Sequence, residues 1–261
     1  MKSIVLSTSL NSFTFDQLST GAIARGFEGF ESSEVREVIA DVPGGDGADF
    51  IRAQFGRRLM KFEGELPGTS RDNSLVLRRN LLKVLKPGSL ITMKFTTYDD
   101  LALQVSCMPR SPKMPYTLAM PEYMIQLIAP DYRFFSQTLN SEEILAAGTE
   151  TITNDGDEWS NPTFTITGPG TTFTVTNTTT GESFILDLAL AGGETVVVDT
   201  VAKTVLKGVT NVYANFSGDF FRLPGSSYYT DGDSSVSLAV DSGSTGATKV
   251  TIAYRDTYIG V

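Results

Sequence analysis

The hydrophobic positions of this chain follow two different periods. From Thr163 onward the period is two. Phe164 and Ile166 alternate with threonines, as do Phe173 and Val175. Phe184, Leu186, Leu188 and Leu190 alternate through one longer run, followed later by Val236, Leu238 and Val240 and then by Val250, Ile252 and Tyr254. Alternation at period two marks strands with one face buried and one wet. Turn residues separate the runs: Gly168-Pro169-Gly170, Gly181, Gly192-Gly193, Gly208, Pro224-Gly225, Asp231-Gly232 and Gly243. Short strands between such turns predict an antiparallel sandwich or jelly roll.

The first half mixes strands with one helix. Ser70 to Lys86 reads SRDNSLVLRRNLLKVLK, with Leu77, Leu81 and Val84 on one stripe and Leu75, Leu82 and Leu85 widening it. Ser70 or Asp72 can cap the first free amides, and Pro87-Gly88 stops the helix. A stripe this broad predicts that Leu81 and Leu82 are both buried. Strands are expected at Ile51–Glu65, Leu90–Phe95, Leu101–Val105 and Met124–Ile128, and the amino-terminal MKSIVLSTSLNSFTFDQ reads as a strand rather than a signal peptide. The apolar pattern lapses between Ser136 and Asn161. That lapse places a boundary there and divides the chain into an N-terminal domain over residues 1–140 and a β-sandwich over residues 148–261.

Composition narrows the chemistry. Among 261 residues there is no histidine, which removes the commonest general base and metal ligand. The single cysteine, Cys107, allows no internal disulfide and is expected to be a buried inert thiol. No stretch reaches the roughly 20 apolar residues of a membrane-spanning helix. The net charge of −9 falls almost wholly on the second half, where residues 149–261 hold 5 basic and 13 acidic side chains. Such a half repels phosphate, so no specific nucleic-acid binding is expected.

Several residues could carry chemistry. Asp155, Asp157 and Glu158, with Asp231 and Asp233, could form a calcium site or a pair of glycosidase carboxylates; without the spacing of a calcium loop they read as solvated turn carboxylates. Gly44-Gly45-Asp46-Gly47 lacks the Lys-Ser/Thr ending of a phosphate loop and reads as a hairpin turn. Arg57, Arg58, Arg78 and Arg79 read as surface or subunit-interface pairs rather than as a DNA grip. Trp159, Tyr228 and Tyr229 could form a sugar platform, although packing is the commoner fate of such rings. No nucleophile–base pair is visible. The reading is therefore a non-enzyme with no catalytic, cofactor-binding or metal-binding residues.

The order of segments resembles a known family. FGRRLMKFEGELP (Phe55 to Pro67), the Leu-Arg-Arg helix and MIQLIAPDYRFFSQ are similar to the N-terminal domain of distal tail proteins of long-tailed, siphovirus-type bacteriophages. Ala129-Pro130-Asp131-Tyr132-Arg133 stands where that family often has Ala-Pro-Asp-Pro-Arg, so Tyr replaces the second Pro. NPTFTITGPG, VTNTTTGESFILDL, GGETVVVDTVAKTVLKG, FFRLPGSS and VTIAYRDTYIG continue the family's order, with the Asn177 to Gly181 turn, Asp199 and Tyr254-Arg255 as its clearest points. The resemblance implies a mainly β fold: an N-terminal β-sandwich-like, ring-forming domain with one α-helix, and a C-terminal galectin-like antiparallel β-sandwich. It implies a structural protein of the virion, assembled in the host cytoplasm. Its role would be that of a homohexameric hub between the tail-tube protein and the tail-tip, tail-associated or receptor-binding proteins, with a channel for DNA and no membrane partner. The competing readings are a tail-tube protein with an appended domain and a carbohydrate-binding adhesin module.

Overall fold

The computed structural model describes residues 1–16, 23–41, 46, 48–66, 70–110, 112–114, 122–228 and 232–261, and strand counts refer to these. The fold is mainly β with one α-helix, as the sequence pattern and the family resemblance imply. Its contacts divide into two units. The first comprises Met1–Gln137 with Ile259–Val261, and the second comprises Thr138–Tyr258.

The first unit runs β1 (Ser3–Ser7), β2 (Ser12–Phe15), β3 (Ile23–Glu28), β4 (Val35–Asp41), β5 (Ala48–Phe55), β6 (Arg58–Glu65), α1 (Arg71–Val84), β7 (Ile91–Thr96), β8 (Ala102–Pro109), β9 (Glu122–Ala129) and β10 (Phe134–Ser136). Its main sheet has the order β2-β1-β7-β8-β9-β6-β3, with β10 on the early part of β8. Alternation sets the inner face. In β6, Arg58, Met60 and Phe62 are buried while Leu59 and Glu63 are exposed. Phenylalanines fill the core edge to face, with Phe15 against Phe62 at 5.4 Å, Phe30 against Phe95 at 5.4 Å and Phe95 against Phe134 at 5.0 Å. Such pairs add roughly 0.5–1.5 kcal/mol beyond the area they bury.

The expected strand Ile51–Glu65 is two strands. The chain breaks at Gly56-Arg57, and β5 leaves the main sheet to pair with β4 alone. The helix is shorter than its hydrophobic pattern. Ser70 caps it, its Oγ accepting from the Asn73 amide at 3.2 Å, and it ends at Val84. Leu81, Val84 and Leu85 are buried, but Leu82 is 37% exposed, which corrects the expectation that both leucines pack inward. Leu82 lies about 100° around the helix from Leu81, and the contact stripe is too narrow to include both.

The second unit contains β11 (Asn140–Leu145), β12 (Thr149–Thr153), β13 (Thr163–Thr167), β14 (Gly170–Asn177), β15 (Glu182–Leu190), β16 (Thr195–Asp199), β17 (Thr204–Lys207), β18 (Thr210–Asn211), β19 (Phe216–Gly218), β20 (Asp233–Val240) and β21 (Lys249–Tyr254). Six strands in the order β11-β21-β13-β16-β17-β18 form one antiparallel sheet, and five in the order β12-β20-β14-β15-β19 form the other. Phe164, Ile166, Val250 and Ile252 from the first pack with Phe173, Phe184, Leu186 and Leu238 from the second in one buried core. The segment in which the apolar pattern lapses is no slack linker. Asn140 to Leu145 pairs along β21, and Thr149 to Thr153 pairs along β20.

The helix gives a direct test of this packing. Leu81→Ala should destabilise the first unit by about 2–5 kcal/mol, because a filled site becomes a cavity. Leu82→Ala should change stability by roughly 0.5 kcal/mol or less, as at other surface positions. Urea melts of both variants check the assignment, and equal losses would contradict it.

Candidate assembly surfaces and the fate of the predicted residues

Most of the residues singled out in the sequence are used inside the fold. Arg58 changes most. It is fully buried, which corrects its reading as a surface or interface residue. Its Nε donates to the Tyr132 carbonyl at 2.9 Å and its Nη1 to the Gly29 carbonyl at 2.8 Å, while Nη2 donates to the carbonyls of Tyr132 and Ile259. The guanidinium carbon lies 4.2 Å from the centre of the Phe134 ring. Burial pulls its pKa down to about 10, opposed by Glu31 and Asp131, so it remains a cation at neutral pH. Arg57 and Arg79 are exposed, and Arg78 donates to the Met114 carbonyl at 3.0 Å. The four arginines therefore form no common stripe.

The acidic group is also divided. Asp155 is exposed, but Glu158 is only 2% exposed, so the solvated-turn reading fails for it. Its Oε1 accepts from the Trp159 amide at 2.8 Å, and the Tyr228 hydroxyl donates to its carboxylate at 3.2 Å. Asp233 accepts from the Thr153 hydroxyl at 2.6 Å. Asp256, which the sequence reading passed over, is buried and accepts from Asn140 Nδ2 at 3.1 Å and from the Asp155 amide at 3.3 Å. Burial holds its carboxyl above the ordinary aspartate value, with these donors opposing. Among the described residues no group of three or more carboxylates or thiols is placed to hold a metal ion. Asp231 and Tyr229 lie outside the described residues.

The aromatic pair comes together, with Tyr228 exposed and Trp159 partly buried. Trp159 and Tyr228 lie 5.1 Å apart at 46°, and the Arg222 guanidinium sits 4.9 Å from the Trp159 ring centre. Cys107 is fully buried in β8, between β7 and β9, and burial pushes its thiol up to about 12.

A continuous exposed surface is formed by the β4–β5 ribbon. Its strands flank the glycine-rich segment read as a hairpin turn, of which Gly44, Gly45 and Gly47 lie outside the described residues. Every residue of both strands is exposed. The pairing Val35 to Phe55, Glu37 to Ala53 and Ile39 to Phe50 puts Val35, Ile39, Phe50 and Phe55 on one face, together with Glu37 and Asp41. The other face carries Arg36, Val38, Asp49, Arg52 and Gln54. The root is fixed: the Gly56 amide donates to the Glu34 carbonyl at 2.7 Å, and Phe55 stacks on Tyr132 at 4.7 Å. Beyond the root, Phe50 is 65% and Ile39 53% exposed. A two-stranded ribbon is marginal in water by itself, and an exposed apolar face of this kind marks an interaction surface.

Comparison with known proteins follows the same division. Residues 155–258 match the family described as siphovirus-type tail component, C-terminal domain. The crystal structure of the Dit protein of phage SPP1, described as a paradigm of the hub adsorption apparatus in phages infecting Gram-positive bacteria, superposes with a TM-score of 0.68 at 10% identity, covering 90% of this chain and 93% of that one. Chains of the phage P2 baseplate in its activated conformation, with calcium and with strontium, align at 11% identity over 97% of both chains, with TM-scores of 0.49 and 0.48. Comparison with curated protein sequences gave no match.

Cys107 supplies a test of this placement. The attacking species is the thiolate, and burial suppresses it. A thiol reagent at about pH 8 should leave the native chain unmodified and should label it in step with unfolding of the first unit. Full labelling of the native chain without denaturant would contradict the placement.

Proposed function

We propose that this chain, a distal tail component of a siphovirus-type phage and thus a structural protein of the virion, forms the hub ring of the tail. The second unit carries the family's C-terminal domain, and the whole chain has the fold of a distal tail protein. In this reading six copies close into a ring through their first units. The ring joins the tail tube to the tail tip or baseplate and leaves an axial channel through which DNA passes. Its partners are copies of itself, the tail-tube protein and the tip proteins, and it performs no catalysis.

The β4–β5 ribbon carries the assembly reading. The first unit buries Arg58, Phe15, Phe30, Phe62, Phe95 and Phe134 in its own core, yet leaves Val35, Ile39, Phe50 and Phe55 on an exposed face. Cyclic closure requires two different complementary patches on each subunit, and this face supplies one of them. The charge balance fits a passive conduit, since a chain with a net charge of −9 offers phosphate little attraction.

Light scattering on the purified protein, alone and with its tail partners, tests the proposal. The expected result is a closed assembly of six chains or a stack of such rings. A monomer at every concentration and with every partner would overturn it.

A further inference from the structure

The first unit has a second surface whose chemistry mirrors that of the ribbon. The β1–β2 turn and the end of α1 enclose a groove of about 430 Å³, lined by Leu10, Lys83, Lys86 and Leu90 among others. Leu10 is 88% exposed and Leu90 61% exposed, and Leu82 lies on the same end of the helix. Leu10 and Leu90 stand outside the core of their own unit. Lys83 and Lys86 are exposed beside them. The patch sets two exposed leucines and two lysines among the polar side chains of Thr8, Ser9, Asn11 and Ser89.

The ribbon face is apolar and anionic. Glu37 and Asp41 stand between Ile39, Phe50 and Val35, and both ribbon arginines, Arg36 and Arg52, lie on the opposite face. Over residues 34–55 there are five carboxylates and two arginines. The carboxylates of the ribbon face are opposite in charge to the lysines of the groove, and each surface exposes large aliphatic side chains, Val35 and Ile39 on the one and Leu10 and Leu90 on the other. They belong to different parts of one unit. Opposite charge fixes register and partner choice, while buried apolar area holds the contact.

We propose that the anionic face of the β4–β5 ribbon of one copy docks into the Leu10–Leu90 groove of the next, with Glu37 and Asp41 facing Lys83 and Lys86. The contact is head to tail, the kind that closes a ring. The proposal rests on the ring reading and names the two patches that the ring requires.

Charge exchange tests it in the full-length protein. Glu37→Lys with Asp41→Lys places cations on the ribbon, and Lys83→Glu with Lys86→Glu places anions on the groove. All four positions are exposed, so both variants should fold, as circular dichroism verifies. Each double variant alone should assemble at least about tenfold more weakly than the wild type, and the chain carrying all four changes should recover assembly, since the charges are again opposite. A second measurement does not depend on charge. Chains with Ile39→Cys mixed with chains carrying Leu90→Cys should form a disulfide-linked dimer under mild oxidation, with little from either variant alone, because Cys107 is buried. If the wild type forms rings but neither double variant weakens them and the mixed disulfide is absent, the ring reading stands and this docking is wrong. If the wild type forms no assembly at all, both fail together.

Discussion

The first unit is organised around one buried cation. Removing a guanidinium from water is costly, and it persists inside a protein only when its donors are satisfied. Arg58 meets that requirement with main-chain oxygens: the carbonyls of Gly29, Tyr132 and Ile259 converge on it, and Phe134 covers its face. Carbonyls from three distant stretches of chain are thereby fixed to the start of β6. One belongs to the last residues of the chain, where the Val261 amide also donates to the Phe30 carbonyl. Another belongs to the turn whose tyrosine ring stacks on Phe55. Arg58 thus sets the root from which the β4–β5 ribbon leaves the sheet, and the ribbon's direction depends on a group buried within its own unit.

The two units divide the labour. The second buries one continuous core between its two sheets, and Glu158, Asp256, Trp159 and Tyr228 make contacts with loops of that same sandwich. The first closes its core but keeps an apolar ribbon and an apolar groove outside it. On the proposed reading, this exposed surface is completed by another copy of the chain. This physical sense underlies the hub reading, and it stands beside the family match of residues 155–258.

Much of this was legible in the residues. The period-two runs at Phe164, Phe173, Phe184, Val236 and Val250 mark strands of the sandwich, and the order of segments resembles the family. The buried polar groups were missed, although the same alternation reveals them. Arg58 lies on the parity of Met60 and Phe62, and Asp256 on that of Val250, Ile252 and Tyr254. Reading residue type before parity placed Arg58 at the surface and passed over Asp256. Leu82 failed for the opposite reason: a leucine at the margin of a helical stripe does not say how wide a surface the helix meets. Of the ribbon, the sequence shows the turn and the part of its second strand that falls within Ile51–Glu65, but VREVIAD and ADFIRAQF alternate weakly and nothing in them declares that the face they share is left uncovered.

Hydrogen exchange across the ribbon tests the central claim most directly, that the first unit is finished by a neighbouring copy. In the dissociated chain the amides of Val35–Asp41 and Ala48–Phe55 sit in a lone pair of strands and should exchange quickly, whereas those of the central strands β7 and β8 should be slow. On assembly the account predicts marked slowing in the ribbon and at the Thr8–Asn11 turn, with β7 and β8 unchanged. Ribbon amides that exchange equally fast in the assembled and dissociated protein would contradict it.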